Sequence, residues 1–241
     1  MNFSLLIPMY NEEKIIDATL SEVSAFMKET FREDYEILFV NDGSKDNCAA
    51  HVSEFPDPAV RLVTYEENHG KGYAIRRGVL EAKGDVILFT DCDLAYGTGV
   101  ILPFYEALAA EGGPDVAVGS RARHPEGYAG YSLLRRIVSR AYLFVLRLFG
   151  GLKLSDSQCG CKGFRREMGK RIFSFCEVDR FAFDFEAILI GQRLGATFLE
   201  IPVKVERHGE SKVRIVRDTI RMLKDLRRMK KRIKKLPVDE M

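Results

Sequence analysis

Asp91 and Asp93 follow the apolar run of DVILFTDCDLA (residues 85–95), with a single cysteine between them. In an extended segment alternate side chains face the same way, so both carboxylates can point together while Cys92 points elsewhere. Two such anions repel, and one tends to keep a proton unless a cation joins them. Mg²⁺ or Mn²⁺ suits the pair, because it takes one or two carboxylates and keeps places for substrate phosphate oxygens. Asp91 and Asp93 therefore read as a handle for a metal-bound diphosphate, with capping of the following turn as the structural alternative.

Two further polar clusters follow apolar runs. FSLLIP (3–8) leads into Pro8-Met9-Tyr10-Asn11-Glu12, and YEILFVN (35–41) into Asn41-Asp42-Gly43-Ser44. An aspartate before Gly-Ser can be no more than a turn and a helix cap. Three clusters at the ends of parallel strands converge on one edge, where such sheets bind their ligands.

The elements that must position these residues alternate in type. Strands are expected at 3–8, 35–41, 60–65, 85–90 and 115–120. Ile15, Ile16, Leu20, Val23 and Met27 give helical spacing over 12–29. A helix over 70–83 carries Gly70, Ala74, Gly78 and Ala82 on one nearly bare face, suited to close packing on the sheet or to close approach of a ligand at its start, beside Lys71. Alternation of this kind predicts a mostly parallel sheet flanked by helices. Beyond residue 120, YSLLRRIVSRAYLFVLRLFGG (131–151) is helical in period, CKGFRRE is a short strand or turn, and Phe183–Leu194 is a helix. A strand, TFLEIPVKV (197–205), precedes a basic helix. One catalytic domain over 1–210 and a C-terminal basic amphipathic helix over 211–241 are expected.

Length and charge narrow the classes. The 241 residues are 46% hydrophobic, enough for a sizeable core, and no apolar run reaches the roughly 18 residues that span a bilayer. Met1-Asn2-Phe3-Ser4 lacks the basic n-region of a secretory leader and reads as the first strand. Five cysteines, an odd number, point to a reducing compartment rather than a disulfide framework. Cys159 and Cys161 lack zinc-site spacing and read as packed thiols. Between Ser211 and Leu236, 12 Lys or Arg stand against Asp218 and Asp225, a local +10 where the whole chain is +2, so the rest is −8. A basic tail on an acidic body seeks an anionic surface.

IPMYNE, VNDGSKD, NHGKGYAIRRGVLEAKGDVILFTDCDL and VGSR, in that order and spacing, resemble the family 2 glycosyltransferases across nearly the whole chain. DSQCGCKGFRRE, RFAFDFEAILIGQRLG, EIPVKV and HGESK resemble the polyprenyl-phosphate branch, closest to the dolichyl-phosphate glucosyltransferases, with the mannose synthases as near neighbours. The resemblance implies a GT-A fold (Rossmann-like, α/β), a nucleotide-sugar donor and inversion at the anomeric carbon. It implies that Pro8, Tyr10, Glu12 and Asp42 line the nucleotide pocket, Asp42 near the base or ribose, and that Asp91 and Asp93 hold the metal. Arg121, Arg135 and Ser139 match positions that contact a lipid phosphate, and Arg207 and Lys212 lie in a loop closing over the donor diphosphate; Lys71 falls in the donor-side motif. Mannose synthases usually carry Gln where this chain has Ala95, which leaves UDP-glucose and GDP-mannose both open as donors.

The chemistry fits these residue types. Charge builds on the departing diphosphate, and preorganised positive charge stabilises it. A lipid phosphate is already an anion near neutral pH, so it needs arginines to place it rather than a base. A hydroxyl acceptor would need one, and Asp184 or Glu186 stands where relatives keep it. A polyprenyl tail requires work at a bilayer, and a peripheral enzyme at the cytoplasmic face is expected. Met222, Leu226, Met229, Ile233 and Leu236 with the surrounding cations suit an anionic membrane, with a membrane-anchoring partner helix or a second copy of the chain as the alternative. No aromatic-interleaved basic motif supports nucleic-acid binding. A catalytically idle binding domain is the reading from another class, against which the intact Asp91/Asp93 pair stands.

Overall fold

The computed structural model describes residues 1–129, 143, 146–147, 151–180, 182–207 and 229–236. Arg135, Ser139 and Lys212, most of the helix expected at 131–151, and residues 211–228 of the basic helix lie outside the described residues.

β1 (Phe3–Met9) and β2 (Tyr35–Asp42) are buried along their full length, as is the short β4 (Val86–Phe89). Continuous apolar runs of this kind belong to central strands covered on both faces. β3 (Val60–Tyr65) and β7 (Phe198–Pro202) are partly exposed and form the two edges. With β5 (Val116–Ser120) and β6 (Lys162–Arg165) they build one seven-stranded sheet in the order β3-β2-β1-β4-β6-β5-β7. All neighbours are parallel except β6, which runs antiparallel to both β4 and β5.

That one reversed strand matters for the site. β1, β2, β4 and β5 deliver their carboxyl ends to the same edge. β6 begins there, with Lys162 opposite Phe89 of β4 and Val118 of β5. The loop entering β6 therefore meets the loops leaving the other strands. Strand order also turns back between β1 and β4, the switch point where open α/β sheets bind ligands.

Side-chain alternation divides the core in two. Phe3, Leu5, Ile7, Ile37 and Phe39 face α1 (Ile16–Phe31), α2 (Cys48–Glu54) and α4 (Ile101–Ala109). Leu6, Leu38 and Val40 face α3 (Lys71–Glu81), α5 (Arg166–Ser174) and α6 (Phe183–Arg193). The bare face of α3 lies directly on β1: a Cβ on Gly78 would fall 2.0 Å from Leu6 Cδ1.

The expected strands and the helices α1, α3 and α6 all form, each within a few residues of its expected bounds. The structure adds α2, α4 and α5, which the sequence reading left unassigned. Residues 229–233 are helical, and Met229 and Ile233 are buried in the same cluster as α3, α5 and α6, with Leu236 packed against it. Over this stretch the apolar stripe expected to meet a membrane or a partner is covered by the domain itself.

Candidate active site

The Asp91–Asp93 segment is a turn, not the extended strand end its alternation implied. β4 stops at Phe89, the Leu94 N–H donates to the Asp91 carbonyl at 3.0 Å, and Leu94 itself has φ +46°. A left-handed leucine costs on the order of 1 kcal/mol, and here its side chain is fully packed in the core. Thr19 of α1 secures the turn through a 2.8 Å bond from its hydroxyl to the Cys92 carbonyl.

The capping role is realised at one member of the acidic pair, and the other is engaged by a lysine. Asp93 Oδ1 accepts the Ala95 N–H at 3.1 Å, as a turn cap does. Asp91 Oδ1 is bonded to the Lys71 ammonium at the start of α3, and its other oxygen lies against Gly160, where a Cβ would fall 2.0 Å from Oδ2. Partial burial and then the Asp91 charge hold the Asp93 carboxyl above the usual carboxylate range. Burial alone would lower the Lys71 pKa, but Asp91, Asp184 and Asp93 together raise it, so the lysine stays charged. Glu12, leaving β1, also lies within electrostatic reach of Asp93.

The loops after β1 and β2 are laced together beside this turn. The Asn11 N–H donates to Ser44 Oγ at 3.0 Å and the Lys45 N–H to Asn11 Oδ1 at 2.8 Å, which places exposed Tyr10 and part-exposed Glu12 at the rim. Pro8 is buried within β1, opposite Val40. Asp42 is buried, and its carboxylate accepts four bonds: Tyr65 hydroxyl and His69 N–H on Oδ1, both at 2.9 Å, and Asn68 Nδ2 and Gly70 N–H on Oδ2, both at 2.8 Å. It thereby fixes the 66–70 loop and the entry to α3, an internal task the sequence did not reveal.

On the other side of Asp91 the β5 and β6 loops meet. Arg121, following β5, makes a two-point bond to the buried Asp156, Nε to Oδ2 at 2.7 Å and Nη2 to Oδ1 at 2.9 Å. Burial alone would raise the Asp156 pKa, but Arg121 lowers it below the ordinary carboxylate range. The Tyr96 hydroxyl accepts the Gly160 N–H at 3.3 Å and is electrostatically coupled to both Arg121 and Asp91, so it joins the two halves of the site. Arg121 also borders an open cleft of about 740 Å³ with Arg123 and Arg147 as its other cations and Pro125, Tyr128 and Leu143 among its apolar wall.

Asp184 and Lys162 form a buried ion pair behind the acidic turn, Nζ to Oδ1 at 2.5 Å. Lys162 also donates to the Cys159 carbonyl at 2.6 Å and lies 5.6 Å from the Phe89 ring centroid. Burial is the first cause that holds the Asp184 carboxyl up, against the lowering pull of Lys162 and Lys71. Glu186, the other acidic residue of α6, faces away from this centre and bonds to the Glu177 and Val178 amides. Arg207 sits beside the acidic turn through its backbone, with its N–H on the Ala95 carbonyl at 3.2 Å, while its guanidinium pairs with Glu22 at 2.9 Å. All five cysteines are buried free thiols.

Residues 4–173 match the family described as Glycosyl transferase family 2. The chain belongs to glycosyltransferase family 2. It is 35% identical over 226 residues to a dolichyl-phosphate beta-glucosyltransferase of Trichomonas vaginalis, covering 88% of this chain and 66% of that relative. The corresponding figures are 31% for the Drosophila melanogaster dolichyl-phosphate beta-glucosyltransferase, over 94% and 73%, and 30% for that of Saccharomyces cerevisiae, over 92% and 72%. The chain thus spans about two thirds to three quarters of the length of these family members. The fold is GT-A. Glucosyl-3-phosphoglycerate synthase from Mycobacterium tuberculosis, in complex with Mn²⁺, UDP and glucosyl-3-phosphoglycerate, aligns with TM-score 0.67 at 19% identity, over 93% of this chain and 79% of that one. Its complex with Mn²⁺, UDP and phosphoglyceric acid aligns with TM-score 0.69 at 18% identity, over 99% and 80%.

Of the residues singled out from this family 2 sequence, the structure gathers Glu12, Lys71, Asp91, Asp93 and Asp184, with the Arg207 backbone beside them. Tyr96 links that group to Arg121. Asp156, Gly160 and Lys162 were missed as site residues. Their signal was present in DSQCGCKG, an acid, a glycine and a lysine ahead of an aromatic strand, but nothing local tells which of them is buried. Arg147, within the stretch read only as helical in period, was not singled out as a site residue either.

The donor set fits a hard divalent cation that arrives with its substrate. Among the described residues no group of three His, Cys, Asp or Glu side chains could hold a metal ion alone. Two carboxylates with the remaining places left to phosphate oxygens and water is the usual Mg²⁺ pattern. Burial first, and then repulsion from Asp91, keep the Asp93 pKa high, and a bound cation would relieve the repulsive part.

Proposed function

We propose that this enzyme transfers glucose from UDP-glucose to a polyprenyl phosphate of the dolichyl type, with inversion at the anomeric carbon. One observation supports it most. The bond between Arg121 and Asp156 places a guanidinium where the acidic turn meets a cleft whose lining is both cationic and apolar. A phosphate carried on a hydrocarbon chain matches both halves of that lining. The names of the similar dolichyl-phosphate beta-glucosyltransferases point to the same acceptor and sugar.

In this reading Asp91, Asp93 and Lys71 receive the donor diphosphate, with Tyr10 and Glu12 at the nucleotide rim and Asp42 setting the loop behind it. Mg²⁺ or Mn²⁺ bound by Asp91 and Asp93 would neutralise charge on the leaving group. Lys71 adds a fixed positive charge from the side of α3, and Arg207 stands close enough to join it by leaving Glu22. Arg121, assisted by Arg123 and Arg147, orients the acceptor phosphate, and Arg135 and Ser139 are assigned to the same group. A phosphate oxygen attacks the anomeric carbon, the bond to UDP breaks, and UDP leaves with the electron pair. No proton has to be removed from the nucleophile. Asp184, ion-paired with Lys162, shapes the floor of the sugar site rather than serving as a base.

A polyprenyl acceptor brings the enzyme to a bilayer, and we place it at the cytoplasmic face as a peripheral protein. No described helix is long and apolar enough to cross a membrane. Five unpaired thiols suit a reducing compartment.

The deciding experiment supplies UDP-glucose or GDP-mannose, Mn²⁺ or Mg²⁺, and a short polyprenyl phosphate or the matching polyprenol. Glucose transfer to the phosphate alone is expected. Equal transfer to the alcohol would overturn the anionic nucleophile, and a preference for GDP-mannose would overturn the sugar.

A further inference from the structure

Residues 229–236 reach the catalytic centre by a route that the proposed chemistry does not use. Arg232 forms an ion pair with the fully buried Glu186, pairs with Glu177 at 2.7 Å, and donates to the Phe175 carbonyl at 2.8 Å. Glu186 in turn accepts the Glu177 and Val178 N–H groups at 3.0 and 2.8 Å. The 175–180 loop is thus held from the C-terminal side. On its opposite side the Asp179 carbonyl accepts the N–H groups of Gly72 and Tyr73 at 2.8 and 3.2 Å, capping the first turn of α3. Arg76, one turn further along α3, grips the same loop at the Cys176 carbonyl and the Asp179 carboxylate, at 2.9 and 2.8 Å. Lys71 lies in that first turn and carries its ammonium to Asp91.

We propose that Arg232 is a positioning residue for Lys71. By fixing the 175–180 loop it fixes the start of α3, and so the lysine that faces the donor diphosphate. Met229 and Ile233, buried on either side of it, seat this part of the chain on the core and present Arg232 to Glu186. The stretch from 229 to 236 then works as part of the catalytic domain. The assignment of Lys71 to the donor rests on the proposed function; the link from Arg232 to α3 does not.

The test compares full-length Arg232→Met and Arg232→Lys with the unaltered protein. Amide hydrogen exchange at Gly72 and Tyr73 is expected to quicken about tenfold or more in Arg232→Met while Leu6 and Leu38 keep their rates, because opening is then local. Arg232→Lys, which keeps the charge but not the several-point contact, should fall between. In transfer assays Arg232→Met should raise the KM for the nucleotide sugar and leave that for the acceptor unchanged, whereas mere loss of folded enzyme lowers kcat alone. Faster exchange confined to 229–236, with Gly72 and Tyr73 as before, overturns the proposal. Should Arg232→Met quicken exchange throughout the sheet, Glu186→Gln combined with Arg232→Met removes the stranded buried charge. The same two amides then decide. Absence of nucleotide-sugar turnover in the unaltered protein would count against the proposed function and leave the exchange result to stand alone.

Discussion

Arg121 holds the buried carboxylate of Asp156 by two bonds of 2.7 and 2.9 Å, and this pair fixes the guanidinium on the side of the site proposed to take the acceptor. The guanidinium fork matches a carboxylate at two points, so its plane is fixed before any phosphate arrives. Asp156→Asn leaves a mostly buried cation without its counter-charge. We expect a loss of about 3 kcal/mol in urea unfolding, the usual cost of breaking a buried ion pair from one side. The KM for polyprenyl phosphate should rise about tenfold, since a lost charge-assisted bond is worth roughly 1.5 kcal/mol or more. An unchanged acceptor KM would separate Arg121 from the acceptor.

The Asp93 carboxyl sits above the usual range because of burial and the neighbouring Asp91. A carboxyl whose folded pKa is raised binds more protons folded than unfolded within that window. Stability from this group therefore falls as pH rises through its folded pKa. Asp93→Asn removes that cost and should make the protein slightly more stable at pH 7, by a small amount because solvent screens the turn. Turnover should fall at least about a hundredfold, as expected when electrostatic stabilisation of a leaving group is lost. Thermal unfolding and a transfer assay on the same preparation check both signs. A variant that is inactive and destabilised would mean the acidic pair is structural.

Lys162 and Asp184 stand or fall together. Lys162→Met strands a buried carboxylate, for a predicted loss of about 3–5 kcal/mol. Combining it with Asp184→Leu removes both charges and should recover most of that loss. A double-mutant cycle by chemical denaturation measures the coupling. Additive losses would show that the two side chains do not depend on one another.

How much of this was legible beforehand follows from the physics of each element. β1, β2 and β4 carry uninterrupted apolar runs ending in turn residues, and α1 and α3 carry their buried faces at helical spacing, so both are readable locally. α2 has only seven residues, and α4 is apolar nearly all round with Pro103 in its first turn, so neither shows a clear stripe. The reversed direction of β6 depends on pairing with β4 and β5, which no short stretch of sequence states. The acidic pair was found from spacing, yet for a partly mistaken reason, since Leu94 turns the chain with a positive φ that leucine rarely adopts. Asp156 and Lys162 were overlooked because a buried charge is recognised by its partner, and Arg121 and Asp184 are distant in sequence.

The fate of the C-terminal stripe leads to the last prediction. Met229 and Ile233 are consumed by the core, so their apolar area is not available to a bilayer. The exposed lysines of the same stretch, Lys231, Lys234 and Lys235, remain in water and can attract an anionic surface over about a Debye length. Each basic residue near such a surface contributes about 1 kcal/mol. Replacing all three by Gln should therefore weaken binding to phosphatidylserine-containing vesicles by up to about a hundredfold. Binding to neutral vesicles and turnover of a detergent-solubilised acceptor should not change, because the core contacts of Met229 and Ile233 and the Arg232–Glu186 pair are left in place. Co-sedimentation at two salt concentrations checks the electrostatic origin, since raised salt must erase the difference. Undiminished binding of the triple variant at low salt would move the membrane contact away from 229–236.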